Sequence, residues 1–365
     1  MANVTLETTI INDIRSTGDF RICSFSGFKK TDVKKQLVEN IFKGRVEIAC
    51  YWCAELICAG HYMDIWEIFL YYLGKHIHAG NPKLTIYLEK RFAIFKNIMV
   101  QGLFYDELQL RNHSTIREMF AEICCIFATS PKKNSFEQVK IKREEEFDIT
   151  QMPERLKAPT TEYAAPFFRK EDPKELWIAI NEFAFQISPL HTPNMMNACY
   201  WIEWVIEFDT ICKNRKQRCL CDKRYDIPVE GKFQCDIIWL IWDALIYSCK
   251  EKQNPFLEKI MDSLLKLFCI KYTTGSPKKR RYLLYYAVSI VTEPIITTVE
   301  IINNKPLLET AVAKIHTVYK QIKKNEQSPN MDYLYSGLEK QSNLDKTIQK
   351  MEMLGNMDPF SSKTY

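Results

Sequence analysis

The sequence has 365 residues, enough for two domains of ordinary size that each bury their own core. Hydrophobic residues make up 46% and charged residues 26%, which excludes a chain that is disordered throughout, and eleven glycines are too few for a turn-rich all-β protein. The net charge of +5 is spread over many positions, so it does not by itself indicate nucleic-acid binding.

Residues 1–30 show no helical periodicity. Val4, Leu6, Thr8 and Ile10 alternate with polar or charged neighbours, a pattern that predicts an extended N-terminal arm. Val4 and Leu6 are therefore candidate partner-binding residues.

The thirteen cysteines are odd in number and most lie in apolar helical runs, which predicts free thiols in a reducing compartment. Residues 1–9 lack the pattern of a signal peptide. No apolar run reaches the roughly eighteen residues that span a bilayer. We therefore expect a soluble intracellular protein without membrane insertion.

Residues 31–130 predict a first helical unit. Its segment from Val46 to about Ala59 is apolar on nearly every face and should lie at the centre. Asn81-Pro82 is typical of a helix start, with an N-cap residue followed by a proline.

Residues 131–172 predict a linker, because they combine several prolines with a charged stretch and little periodicity. Asp172-Pro173 then predicts the cap of a new helix, which opens a second helical unit at 173–298.

The two units look like copies of one another, because four short matches occur in the same order in both. The alternative is that helical proteins reuse the same cap chemistry, which explains the Asn-Pro pair but not the order. The matches are Ala49-Cys50-Tyr51-Trp52 with Ala198-Cys199-Tyr200-Trp201, Asp64-Ile65-Trp66 with Asp236-Ile237-Ile238-Trp239, Asn81-Pro82 with Asn254-Pro255, and Thr129-Ser130-Pro131 with Thr292-Glu293-Pro294.

Residues 303–325 predict an amphipathic helix with a basic end. Residues 326–365 form a polar tail whose short apolar stripe, Leu344, Ile348 and Met351, is too small to be a stable helix alone and is expected to order against a partner. The predicted fold is thus mostly α, with two related helical-bundle units in tandem, an extended N-terminal arm and a C-terminal tail.

Two cysteine clusters are candidate zinc sites. In the first, Cys50 and His61 would lie roughly 16 Å apart along a helix, too far for one ion, so buried core cysteines are the better interpretation. The second lies in a basic insertion, 212–235, where a structural zinc ion is an alternative to unpaired cysteines, although the spacing fits no standard zinc motif. Its members are Cys212, Cys219, Cys221 and Cys235.

Two basic patches stand out, one at Lys213–Arg218 with Lys223 and Arg224, and one at Lys278, Lys279, Arg280 and Arg281. The second opens a helix, where cations oppose the helix dipole, which hints at an acidic partner, protein or phosphate. A solvated surface loop is the alternative, because no aromatic residues are interleaved for base stacking.

Signatures of common enzymes are absent from the sequence, including nucleotide-binding glycine loops, the zinc-protease motif and the hydrolase elbow. His76 and His78 have no evident acidic partner, so they are interpreted as hydrogen-bonded or exposed rather than catalytic. We expect a non-enzymatic protein without a cofactor.

Four segments resemble an uncharacterised conserved protein of the nucleocytoplasmic large DNA viruses, of the chlorovirus and phycodnavirus type. They are Thr9–Ser16, Ser24–Lys30, Cys53–His61 and Gly74–His78. The resemblance implies a viral protein made in the host cytoplasm, and a plausible place for it is the inner layer of the capsid, as a minor capsid protein.

Two functional hypotheses follow. In the first, the chain is a structural virion component that links neighbouring capsid proteins, including the major capsid protein and further copies of itself. In the second, it is a viral transcription or replication accessory protein, with a cyclin-like double helical repeat that binds nucleic acid or a polymerase.

Overall fold

The computed structural model describes residues 9–101, 107–142, 147, 155–189 and 192–327. This part of the chain is mostly helical, with twelve α-helices and no β-strand, which confirms the predicted all-α class. None of the described helices is both long and apolar enough to cross a bilayer.

The first half of the fold contains five helices, and α2 is the central one. They are α1 (Lys30–Phe42), α2 (Val46–Cys58), α3 (Tyr62–Tyr72), α4 (Lys83–Gln101) and α5 (Ser114–Thr129). Helix α2 is apolar on nearly all faces and packs against both α1 and α5, as its sequence predicted.

The second half contains six helices, one more than the first. It contains α6 (Trp177–Ile187), α7 (Met195–Asn214), α8 (Ile238–Glu251), α9 (Pro255–Phe268), the short α10 (Ser276–Lys279) and α11 (Arg281–Thr292). Helix α6 packs on α7 and α7 packs on α11, as α1 packs on α2 and α2 on α5. The four sequence matches fall on or beside equivalent helices, which agrees with two tandem units, and their common origin stays a prediction.

The two halves join through α4, which packs on α9, and through α11, which packs on the turns after α3. There the chain forms a π-helical turn, Leu73–Ile77, and a 3-10 turn, His78–Gly80. A Cβ atom on Gly74 would lie 2.8 Å from the backbone carbon of Tyr282. Only glycine therefore allows α11 to approach this closely.

The two Asn-Pro helix starts differ. The side chain of Asn254 accepts hydrogen bonds from the N–H groups of Phe256 and Leu257 and caps α9, as predicted. The side chain of Asn81 is buried and donates instead to the Glu300 carbonyl at 2.8 Å, while α4 begins at Lys83. The predicted cap at Asn81 is wrong, because this amide fastens a distant segment.

The last described helix, α12 (Lys305–Lys323), returns to the first half and packs on α2 and α5. Its predicted apolar stripe is confirmed, since Leu308, Ile315, Tyr319 and Ile322 are buried. The helix therefore belongs to the helical body and does not lie outside the two units.

Two predicted flexible segments pack against that body where they are described. Within the predicted arm, Ile11, Phe20 and Phe25 are buried in the core, so residues 9–29 do not form a free extended arm. Within the predicted linker 131–172, Phe136 stacks on His78 with ring centroids 4.1 Å apart, so this stretch is not a free spacer.

Candidate functional site

Segments near the two ends of the described chain meet at one place. The N–H of Ile14 donates to the Gln327 carbonyl at 3.3 Å, and the N–H of Gln327 donates to the Asp13 carboxylate at 2.9 Å. Lys323, at the end of α12, donates to the Ile10 carbonyl. We call residues 9–15 and 323–327 the junction.

An ion pair at the centre of the junction organises it. The guanidinium of Arg15 binds both carboxylate oxygens of Asp13 and donates to the Asn325 carbonyl at 3.1 Å. It also lies 4.7 Å from the ring centroids of Phe20 and Phe25. Burial raises the pKa of Asp13, but hydrogen bonds from Arg15 and Gln327 outweigh it and hold that pKa below its usual value.

A buried arginine fastens the junction to the body. Arg117 of α5 donates to the Thr9 hydroxyl and carbonyl at 2.9 and 3.1 Å, and to the Arg111 carbonyl at 2.6 Å. Its guanidinium carbon lies 3.9 Å from the ring centroid of Tyr319 in α12. One side chain therefore joins residue 9, the turn before α5, and α12.

A buried carboxylate holds the segment beside the junction. Glu55 lies in the central helix α2 and is fully buried. It accepts hydrogen bonds from the Ser24 hydroxyl at 2.8 Å and from the Ser26 backbone N–H and hydroxyl at 3.0 and 2.5 Å. The sequence signal for this role was a glutamate in the apolar stretch that follows the first turn of the helix, since such a charge needs a partner.

The predicted partner-binding residues near the two ends of the chain are not among the residues that the structure describes. Val4 and Leu6, and Leu344, Ile348 and Met351, lie outside the described residues. The segments that hold them, 1–8 and 328–365, adjoin residues 9 and 327, which lie on the two sides of the junction.

The second basic patch is largely internal. Arg280 is buried, pairs with Glu67 of α3 across the two halves and donates to the Phe268 carbonyl at 2.6 Å. Arg281 binds Glu203 of α7 at 2.8 Å. Only Lys278 and Lys279 of the patch are exposed. The acidic partner that the sequence suggested for Arg280 and Arg281 is therefore this chain itself.

A buried arginine fastens the insertion 212–235 to the rest of the fold. Arg224 is fully buried and binds Asp172 through two hydrogen bonds of 2.5 and 2.8 Å, and Asp243 of α8 at 2.9 Å. The prediction that Asp172 caps a helix is therefore wrong, because its carboxylate binds Arg224 instead. The described part of the chain contains no group of three or more His, Cys, Asp or Glu placed to hold a metal ion, which gives no support to the zinc alternative at Cys212, Cys219, Cys221 and Cys235.

A cleft of about 660 Å³ lies between the turns after α3 and the start of α7. His78 lines it, with a φ of 32° that is unusual for a residue other than glycine. The His78 ring donates from Nε2 to the Asn134 carbonyl at 3.0 Å, and His76 Nδ1 lies 2.6 Å from the Ser135 hydroxyl. Burial lowers the pKa of both histidines to about 4, so both rings are neutral at pH 7.

These two histidines predict an acid-sensitive fold. Between pH 6.5 and about 4, both histidine rings are protonated in the unfolded chain but stay neutral in the folded chain. The free energy of unfolding therefore falls as the pH drops through this window. Each ring should remove about 2–3 kcal/mol of unfolding free energy by pH 4. Urea unfolding of the chain and of a His76→Gln, His78→Asn double variant, from pH 7 to 4.5, measures this. The double variant should show the shallower pH dependence, and parallel curves would contradict the prediction.

Comparisons with protein-family models, with curated proteins and with solved structures found no match to this chain.

Proposed function

We propose that this chain is a non-catalytic structural protein of a large DNA virus, a minor component of the capsid's inner layer that links neighbouring capsid proteins. The sequence resemblance supports the viral assignment. The single observation that supports the linking role is the junction, because segments 1–8 and 328–365 both adjoin it.

The junction suits such a role because it is fastened to a rigid body. Arg117 and Arg15 fix the positions of residues 9–15 and 323–327. Two binding segments that start from one place act on a shared partner as a bivalent ligand, since binding of the first raises the effective concentration of the second.

Cross-linking and proteomics of purified virus particles test the proposal. The chain should be present in the particles, with cross-links from Lys346 or Lys350 to the major capsid protein or to a second copy. Replacing Leu344 and Ile348 with aspartate should lower incorporation into particles by about tenfold, because apolar anchors carry most of the energy of such contacts. The matched control, Ser342→Asp with Thr347→Asp, should incorporate normally.

A chain found only in soluble extract of infected cells would overturn the proposal. Retention on DNA with a steep salt dependence would overturn it in favour of the transcription or replication hypothesis. Of the patch at 278–281, only Lys278 and Lys279 are exposed to serve that second role.

A further inference from the structure

A pocket whose residues are distant in sequence from the junction has the chemistry of a cation-binding site. Its volume is about 310 Å³, at the lower end of the range for ligand pockets. The loop 160–167 forms one side, and helices α6 and α8 form the other. We call it the aromatic pocket.

The loop that forms this pocket is fixed in place. Asn181 of α6 is buried, donates to the Thr160 carbonyl at 2.8 Å and accepts from the Tyr163 N–H at 2.9 Å. Glu182, also buried, accepts from the N–H groups of Lys157 and Ala158 at 2.9 and 3.0 Å. These bonds hold an irregular loop over the groove between α6 and α8, so the pocket is preorganised.

Three aromatic rings stand in the wall of the pocket. Phe167 and Tyr247 have ring centroids 5.9 Å apart, and Tyr163 lies beside them in the same lining. Tyr247 is 38% exposed, although it is a large aromatic side chain. The face of an aromatic ring carries negative potential and attracts organic cations.

The formal charge on the pocket wall is entirely negative. Glu162 and Glu251 line it, and its described lining contains no Lys, Arg or His. Both carboxylates are exposed. Glu251 also interacts with the hydroxyl of Tyr247, and burial together with this carboxylate raises the pKa of that phenol. Aromatic rings and carboxylates together favour a cation that carries apolar surface over a neutral ligand or an anion.

We propose that the aromatic pocket binds an organic cation, the guanidinium or alkylammonium group of an arginine, a lysine or a free polyamine. The rings contact the apolar carbons of the cation, and Glu162 and Glu251 accept its N–H groups. This site does not depend on the role proposed for the junction, because it is built from other residues.

Ligand-observed NMR titration of the full chain tests the site. The probes are N-acetyl-arginine methylamide, N-acetyl-lysine methylamide and spermidine, with N-acetyl-citrulline methylamide as the uncharged analogue of arginine. At least one cation should bind and citrulline should not. Binding of the amino-acid probes alone identifies a side chain of a partner as the source, and binding of spermidine alone identifies a free polyamine.

Three variants locate the binding. Glu162→Gln, Glu251→Gln and Tyr247→Leu should each weaken it by about threefold to thirtyfold. Glu230→Gln is the matched control, because Glu230 is exposed in the insertion and lies outside the pocket lining. Since all four positions are exposed, circular dichroism should show unchanged folding. The proposal would be overturned if no cation bound, or if the three pocket variants bound the cation as tightly as the natural chain does.

Discussion

Replacing Arg224 with methionine is expected to lower the free energy of unfolding by about 3–5 kcal/mol at pH 7. Methionine fills much of the same volume, but it leaves Asp172 and Asp243 without the guanidinium that binds both. The side chain of Asp172 is fully buried, and that of Asp243 is 15% exposed. One buried and one partly buried carboxylate would then lack the guanidinium that neutralises them, which is far more costly than the loss of a surface pair.

The same variant should regain stability in acid. In the folded protein, burial raises the pKa of Asp172 but the Arg224 hydrogen bonds outweigh it, so that pKa is lowered and the carboxylate stabilises the fold above pH 3.8. Without Arg224 burial dominates and the pKa of Asp172 rises above 3.8. The difference between the variant and the natural chain should therefore narrow as the pH falls from 7 towards 4.

Chemical denaturation at pH 7, 5.5 and 4.5 measures both effects. Arg215→Met is the matched control, an exposed arginine in the same insertion, and it should change stability by no more than about 0.5 kcal/mol. Adding Asp172→Asn to the Arg224 variant should restore part of the loss, since it removes one unpaired charge. Equal losses in Arg224→Met and Arg215→Met would contradict the proposed role of this ion pair.

The sequence predicted the helices better than it predicted the polar groups between them. The apolar stripe of α12 and the central position of α2 follow from residue spacing within one helix, and both are present. The Asn254 cap also depends only on neighbouring residues. Such local rules work because the interacting groups lie within one or two turns.

The arginine contacts could not be predicted in this way. Arg280 pairs with Glu67, 213 positions earlier, and Arg224 pairs with Asp172, 52 positions earlier. A sequence read locally shows Asp172 as a helix cap and Arg280 as part of a basic patch. The usable signal was weaker: Glu55 and Arg117 interrupt apolar helical faces, and a charge at such a position needs a buried partner.

The loops were misjudged for a related reason. Prolines and charges in residues 131–172 and the missing periodicity of residues 1–30 are typical of solvent-exposed segments. The described parts of both are fastened by side chains from helices, Asn181 and Glu182 in one case and Glu55 and Arg117 in the other. Tertiary hydrogen bonds, which composition does not encode, therefore position the loop of the aromatic pocket and the residues of the junction.

Replacing Arg117 with methionine is expected to lower the free energy of unfolding by about 3–4 kcal/mol and to detach residue 9 from α5. Arg117 is almost fully buried, and its partners in the described chain are neutral oxygens of Thr9, Arg111 and Asn112. Methionine leaves these oxygens without their donor and removes the contact with the Tyr319 ring. Because the lost contacts join both residue 9 and α12 to α5, the damage should concentrate at the junction.

Hydrogen–deuterium exchange distinguishes this local effect from general destabilisation. Amides of residues 9–15 and of the end of α12 should exchange faster in Arg117→Met, while those of α6 to α9 should change little. The matched control, Arg91→Met, breaks a partly exposed pair with Glu122 of the same helix α5 and should cost no more than about 1 kcal/mol. Uniformly faster exchange over both halves would show that Arg117 supports the whole core. Exchange confined to the junction would tie the position of both adjoining segments to this one buried arginine, and reduced incorporation of the variant into particles would then follow from the proposed linking role.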